Sequence, residues 1–133
     1  MKPFSPIIPE ASRGAYERFK FAPAVEMGDL ILISGQIGRG VDRGLPEAFA
    51  DQLENVFRNL EAVLKEAGAS LSDIASLNSY HVGDLEAQLA TFVEAQGRWL
   101  GEPYPAWTAV GVTQLALKGA LIEVSAIARR PGK

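Results

Sequence analysis

The 133-residue sequence predicts a mixed α/β (α+β) single domain, one β-sheet with two amphipathic helices on one of its faces. Three observations lead there. Two long stretches place apolar residues at helical spacing, about five short apolar runs are bounded by turn residues, and the order along the chain is β-β-α-β-α-β-β. The length fits one domain and is enough to bury an ordinary core without covalent staples.

Residues 1–15 are rich in proline and small side chains and are expected to run irregularly over the surface before the fold begins. Phe21 to Met27 reads as a strand, with Pro23 marking an edge or a bulge. Gly28-Asp29 then forms a two-residue turn into Leu30-Ile31-Leu32-Ile33, because a tight hairpin needs a positive φ that glycine supplies. The second strand is apolar on both faces, so something must cover each.

The loop Gly38-x-Gly40-x-x-x-Gly44 carries Arg39 and Arg43. Its spacing matches neither a dinucleotide fingerprint nor a phosphate-binding P-loop, and it reads as a flexible connection. A helix follows, with Pro46 in its first turn and Phe49, Leu53, Val56, Phe57, Leu60, Val63, Leu64 and Ala67 on one stripe, stopped by Gly68. Ser70 to Asp73 is a capped turn into a strand over about 74–82. Asp84 caps a second helix whose inner side carries Leu85, Leu89, Phe92, Val93, Gln96, Trp99 and Leu100, ending at Gly101. Strands over about 106–112 and 120–128 close the chain. Two one-sided helices cover one sheet face only; the other keeps an apolar patch of the kind that marks an interface, which predicts an oligomer packed sheet to sheet.

Composition narrows the function. Hydrophobic residues at 47% and charged residues at 22% describe an ordinary globular chain. There is no cysteine and one histidine, His81, which excludes disulfides, thiolate catalysis and a multi-histidine metal site within one chain. No metal or other cofactor is expected. A net charge of −3 opposes nucleic-acid binding, which depends on neutralising phosphates. The absence of an apolar leader or an 18-residue apolar run predicts a cytoplasmic protein that does not enter membranes.

Four spaced blocks, in one order from about Phe21 to Ala128, carry a family likeness. Gly28-Asp29-Leu30-Ile31-Leu32-Ile33-Ser34-Gly35-Gln36 resembles the signature of the RidA/YjgF family. The stretch from Asn55 to Gly68 resembles its first long helix, and Tyr104 to Val110 and Ile122 to Ala128 resemble its two closing strands. The resemblance implies a chorismate-mutase-like fold: a mixed sheet of about six strands, two helices on one face, and a homotrimer whose sheets form a central barrel. It also implies small-molecule pockets between subunits. Many members hydrolyse enamine/imine intermediates to 2-oxo acids and ammonia; the family also carries an endoribonuclease and translation-inhibitor label.

In the resemblance, a glutamate on the last strand is associated with the attacking water, and here that position is Glu123. Ser34 and Gly35 match the pair beside the pocket. The arginine that holds the substrate carboxylate is replaced by Trp107, and the tyrosine early in the first strand falls at Phe21. These departures, with His81 before the second helix, are closest to the divergent YjgH-like branch. Indole offers one N–H and no charge, so it cannot replace a bidentate arginine, and a simple 2-imino acid should bind poorly.

Each candidate has two readings. Glu123 in an apolar strand is either a general base raised by burial or a solvated outward carboxylate. Trp107 either stacks on a flat ligand or fills the vacated pocket. His81 is either an acid–base group or a strand-end residue with a capping role. Tyr104 either orients a ligand or packs at an interface. The sequence therefore supports a hydrolase acting on a C=N bond, a non-catalytic metabolite-binding module gripping an aromatic ligand with Trp107 and Tyr104, or, weakly supported by its charge and lone histidine, a ribonuclease.

Overall fold

A computed structural model describes residues 1–132. Six strands form one mixed sheet in the order β1-β2-β3-β6-β4-β5. They are β1 (Ser5–Ile7), β2 (Ala24–Met27), β3 (Leu30–Ile37), β4 (Ile74–His81), β5 (Ala106–Gly111) and β6 (Ile122–Arg129). Only the β4–β5 pair is parallel. Three helices accompany them, α1 (Arg13–Phe19), α2 (Phe49–Glu66) and α3 (Leu85–Leu100).

The β2–β3 hairpin has the expected two-residue turn: Met27 pairs with Leu30, and Gly28 stands at φ 61°. Pro23 lies just before β2, and its carbonyl accepts from Ser34 N. The long helices α2 and α3 make the crossovers from β3 to β4 and from β4 to β5. Ile31, Ile33, Leu77, Ile122 and Val124 of the sheet are buried against Leu53, Val56, Phe57, Leu60 and Leu64 of α2 and Phe92 of α3. Burying such a side chain contributes about 1.5–3 kcal/mol, so this layer dominates the stability of the chain.

Four local readings need correction. The irregular segment 1–15 contains β1, a single 3-10 turn and the first residues of α1. Its prolines are compatible with an edge strand, which needs few ladder donors. Helix α1 escaped the pattern because none of its residues is buried, so no apolar stripe exists to be read. Helix α2 begins at Phe49 rather than at Pro46; the Pro46 carbonyl instead accepts from the buried Gln52 side chain. Val93, expected on the inner side of α3, is exposed, while Gln88, Phe92, Ala95 and Gln96 form the inner stripe.

The opposite sheet face has no helix over it. Val25, Leu32, Ser34, Asn78, Ser125 and Ile127 line a shallow hollow there. Leu30, Val110 and Ile127 keep roughly two-fifths of their surface open.

Candidate functional site

Alternation along β6 decides where Glu123 points. Ile122, Val124, Ala126 and Ala128 are buried under the helices, so Glu123, Ser125 and Ile127 project from the open face. Across the ladder Glu123 pairs with Tyr80 of β4 and Ile37 of β3. Its carboxylate makes no hydrogen bond or ion pair among the described residues, and desolvation by burial raises its pKa above the usual glutamate value.

A bulge in β3 makes room for this carboxylate. The β3–β6 register shifts between Ile33 and Gln36, so Ser34 and Gly35 leave the regular ladder. The Ser34 hydroxyl donates to Ala22 O at 2.6 Å and its N–H to Pro23 O at 2.9 Å, which pins the bulge to the entry of β2. Gly35 faces the Glu123 side chain so closely that a Cβ there would overlap Oε2, Cδ and Cγ of Glu123. Only glycine fits.

On the far side of Gly35 runs a groove between α1 and the segment that leaves β3. Ser12, Ala15, Tyr16, Phe21, Pro23, Gly35, Gln36, Ile37, Arg39 and Asn59 line it. Of the expected site residues, Glu123, Ser34, Gly35 and Phe21 therefore gather in one region. Gln36 of the signature and Arg39 of the glycine loop join them, with Tyr16 and Asn59, which the sequence did not single out. The one available signal was Asn55 and Asn59, polar side chains one helical turn apart on the strongest helix.

Trp107 and His81 lie elsewhere. Both face the helices, on the opposite side of the sheet from Glu123. Trp107 stacks on Phe92 with ring centroids 4.9 Å apart. Its Nε1–H donates to Ser79 Oγ at 2.8 Å. His81 is 1% exposed and sits between Phe49 and Phe92. Its Nε2 is 2.8 Å from Ser79 Oγ and its Nδ1 is 3.0 Å from Gln88 Oε1.

The directions of these bonds follow from the chemistry of the groups. Gln88 Nε2 donates to Val82 O at 2.7 Å, so Oε1 faces the ring and can only accept. Nδ1 therefore carries the proton, and Nε2 accepts from the Ser79 hydroxyl, which itself accepts from Trp107. Every polar atom in the Gln88–His81–Ser79–Trp107 relay has a partner, and burial lowers the His81 pKa, partly offset by the Gln88 bond. The indole and the imidazole are thus packed and hydrogen-bonded on the helix side of the sheet.

Tyr104 stands apart as well. It precedes β5, whose first residue, Ala106, pairs with Ser76, whereas Glu123 pairs with Tyr80 on the same strand. Four residues of extended chain, about 13 Å, separate the two positions along β4. Its hydroxyl lies over the α3 backbone near Gly97.

Comparison with known proteins agrees with the geometry. A family model described as Endoribonuclease L-PSP matches residues 14–130. The RutC family protein YjgH of Escherichia coli (strain K12) is 38% identical over 127 residues, 94% of each chain. A solved structure of the protein YjgH superposes with a TM-score of 0.85 at 34% identity, covering 99% of this chain and 100% of that one. A protein of Dermatophagoides farinae named 2-iminobutanoate/2-iminopropanoate deaminase is 29% identical over 111 residues, 80% of this chain and 83% of its own. With most of its length matched by the family model and by a relative at 38% identity, the chain belongs to the RidA/YjgF family.

Proposed function

We propose that the protein is a RidA-like hydrolase of an enamine/imine-type C=N bond, with Glu123 as the base that activates water. The observation that carries this reading is the Glu123 carboxylate itself: half-buried, without a partner among the described residues, and given its space by Gly35. A carboxylate whose pKa is raised is a stronger base at neutral pH than a solvated one. Glu123 would take a proton from water as the oxygen bonds to the imine carbon. That proton then passes to nitrogen, and as the C–N bond breaks the hydroxyl's remaining proton follows it by way of Glu123, leaving ammonia and a carbonyl product. The relative named as a deaminase supports this reaction class.

The working form is proposed to be a homotrimer, with the uncovered sheet faces packed into a barrel and the small-molecule pockets closed by neighbouring subunits. The substrate is proposed to differ from simple 2-imino acids. Trp107 occupies the position of the family's carboxylate-binding arginine, and its indole is held in the helix-side core by Phe92 and Ser79. The alternative of an aromatic-ligand module has less support, because the Trp107 indole is stacked on Phe92 and hydrogen-bonded to Ser79.

The test supplies freshly generated 2-iminobutyrate and a panel of larger imines and follows release of the 2-oxo or aldehyde product. Glu123→Gln preserves shape and removes the base, so turnover of the best substrate should fall by about 10²–10⁴-fold. Ligand affinity should change far less, since the loss lies in the chemical step. Unchanged turnover in Glu123→Gln would remove the residue from the mechanism. Turnover of 2-iminobutyrate at the rate of an arginine-containing relative would show that the substrate restriction is wrong.

A further inference from the structure

The groove beside Gly35 is continuous with a second hollow lined by Pro9, Gln36, Arg43, Asn59, Ala62 and Val63. The two share Ser12, Ala15, Gln36, Arg39 and Asn59, and their volumes are about 280 and 180 Å³. Each alone is below the usual range of a small-molecule site, roughly 300–1,000 Å³, so a ligand of ordinary size would extend through both.

The charge of this groove departs from that of the protein. The chain carries a net −3, yet the groove is lined by Arg39 and Arg43 and by no Asp or Glu. Neither arginine forms an ion pair among the described residues. Asp42, between them in sequence, turns away: its carboxylate accepts from Gly44 N, and it lines a different hollow with Leu45 and Arg58. Two cations without a carboxylate partner, in one concave site, attract an anion.

The Arg39 side chain and the loop backbone are also held in place. The loop that reads as a flexible connection is closed by Gly40 N to Gly44 O at 2.9 Å and Arg43 N to Gly40 O at 2.8 Å. Arg39 Nη1 donates to Arg43 O at 3.0 Å. Below, Asn59 Nδ2 donates to both Ile37 O and Arg39 O, and Asn55 Nδ2 to Gly38 O. Three successive carbonyls are thus clamped to α2. The Arg39 half of the anchor is held before a ligand arrives, which lowers the ordering cost of binding.

We infer that Arg39 and Arg43 form an anion subsite that binds the carboxylate or phosphate tail of a small elongated ligand lying along the groove toward Gly35. Glu123 lines neither hollow, so the subsite stands apart from the reading of Glu123 as the base.

The experiment titrates the ¹⁵N-labelled full-length protein with glutarate, with propyl phosphate and with uncharged glutaramide. The two anions should shift the amides of Gln36, Arg39, Arg43 and Asn59 saturably, and glutaramide should not. The tighter of the two identifies the tail. Arg39→Met and Arg43→Met should each weaken anion binding by about tenfold or more, as loss of one partner of a charged pair does. Absence of saturable shifts at these amides, equal shifts with glutaramide, or unchanged affinity in both variants would overturn the subsite. Glu123→Gln should bind the anions like the parent. Anion binding without any imine turnover in the parent would sink the hydrolase reading alone; Glu123-dependent turnover without groove binding would sink the subsite alone.

Discussion

Both ring nitrogens of His81 are committed, Nδ1–H to Gln88 and Nε2 to the Ser79 hydroxyl, so a second proton on the ring would break the chain that runs on to Trp107. In the unfolded chain a histidine titrates near 6.5. Burial lowers the folded value, so above about pH 6.5 the ring is neutral in both states and the fold loses nothing. As the pH falls through that value the unfolded chain takes up the proton first, and stability declines until the folded pKa is reached. Glu123 acts with the opposite sign. Its raised folded pKa makes its contribution fully present below the unfolded value and lost as the pH rises through the folded one. The His81 share is therefore a difference: between about pH 7.5 and 5.5, the urea midpoint of the parent should fall by more than that of His81→Gln. Equal falls would show that the buried ring does not govern the acid limb. The same groups could not be sorted from the sequence. Glu123 and Trp107 both sit in strands, and only register and alternation show that one faces the open side and the other the core.

At the scale of elements, α2 does more than supply half the core. Its apolar stripe buries Leu53, Val56, Phe57, Leu60 and Leu64 against the sheet, while Gln52, Asn55 and Asn59 anchor the chain segments that leave β3 and enter β6. The Asn59 amide satisfies two backbone carbonyls at once, at 2.9 and 3.0 Å. Asn59→Ala should therefore cost about 1–3 kcal/mol, since partly buried acceptors lose their donors. Equilibrium denaturation checks it, and a loss below about 0.5 kcal/mol would mean that water replaces the amide. The stripe was legible because periodicity encodes it directly. The polar clamps were not, because the asparagine partners lie 17 to 22 residues away and the Gln52 partners at Gly119 and Leu121 lie 67 and 69 away. Helix α1 was illegible for a related reason: it buries nothing, and its role as a groove wall depends on what lies opposite.

At the scale of the whole molecule, one sheet face lies under α2 and α3 and the other has no helix over it. Leu30, Leu32, Val25, Val110 and Ile127 leave that second face apolar. Multi-angle light scattering at micromolar concentration should give the mass of a trimer, and Ile127→Lys, a charge in the middle of that face, should shift the protein toward monomer. A stable monomer of the parent would dissolve the proposed barrel together with its inter-subunit pockets. The sequence by itself determined the mixed sheet, the two long helices and their stripes, the hairpin turn at Gly28-Asp29 and the candidacy of Glu123. The helices, their stripes and the turn rest on local spacing, whereas the mixed sheet and the candidacy of Glu123 are what the resemblance carried by four spaced motifs implies. Only the tertiary structure decided that His81 and Trp107 belong to the core, that Gly35 makes room for Glu123, and that Arg39 and Arg43 share a groove with α1. Those facts depend on strand register, a bulge and the approach of segments remote in sequence, and no local periodicity carries them.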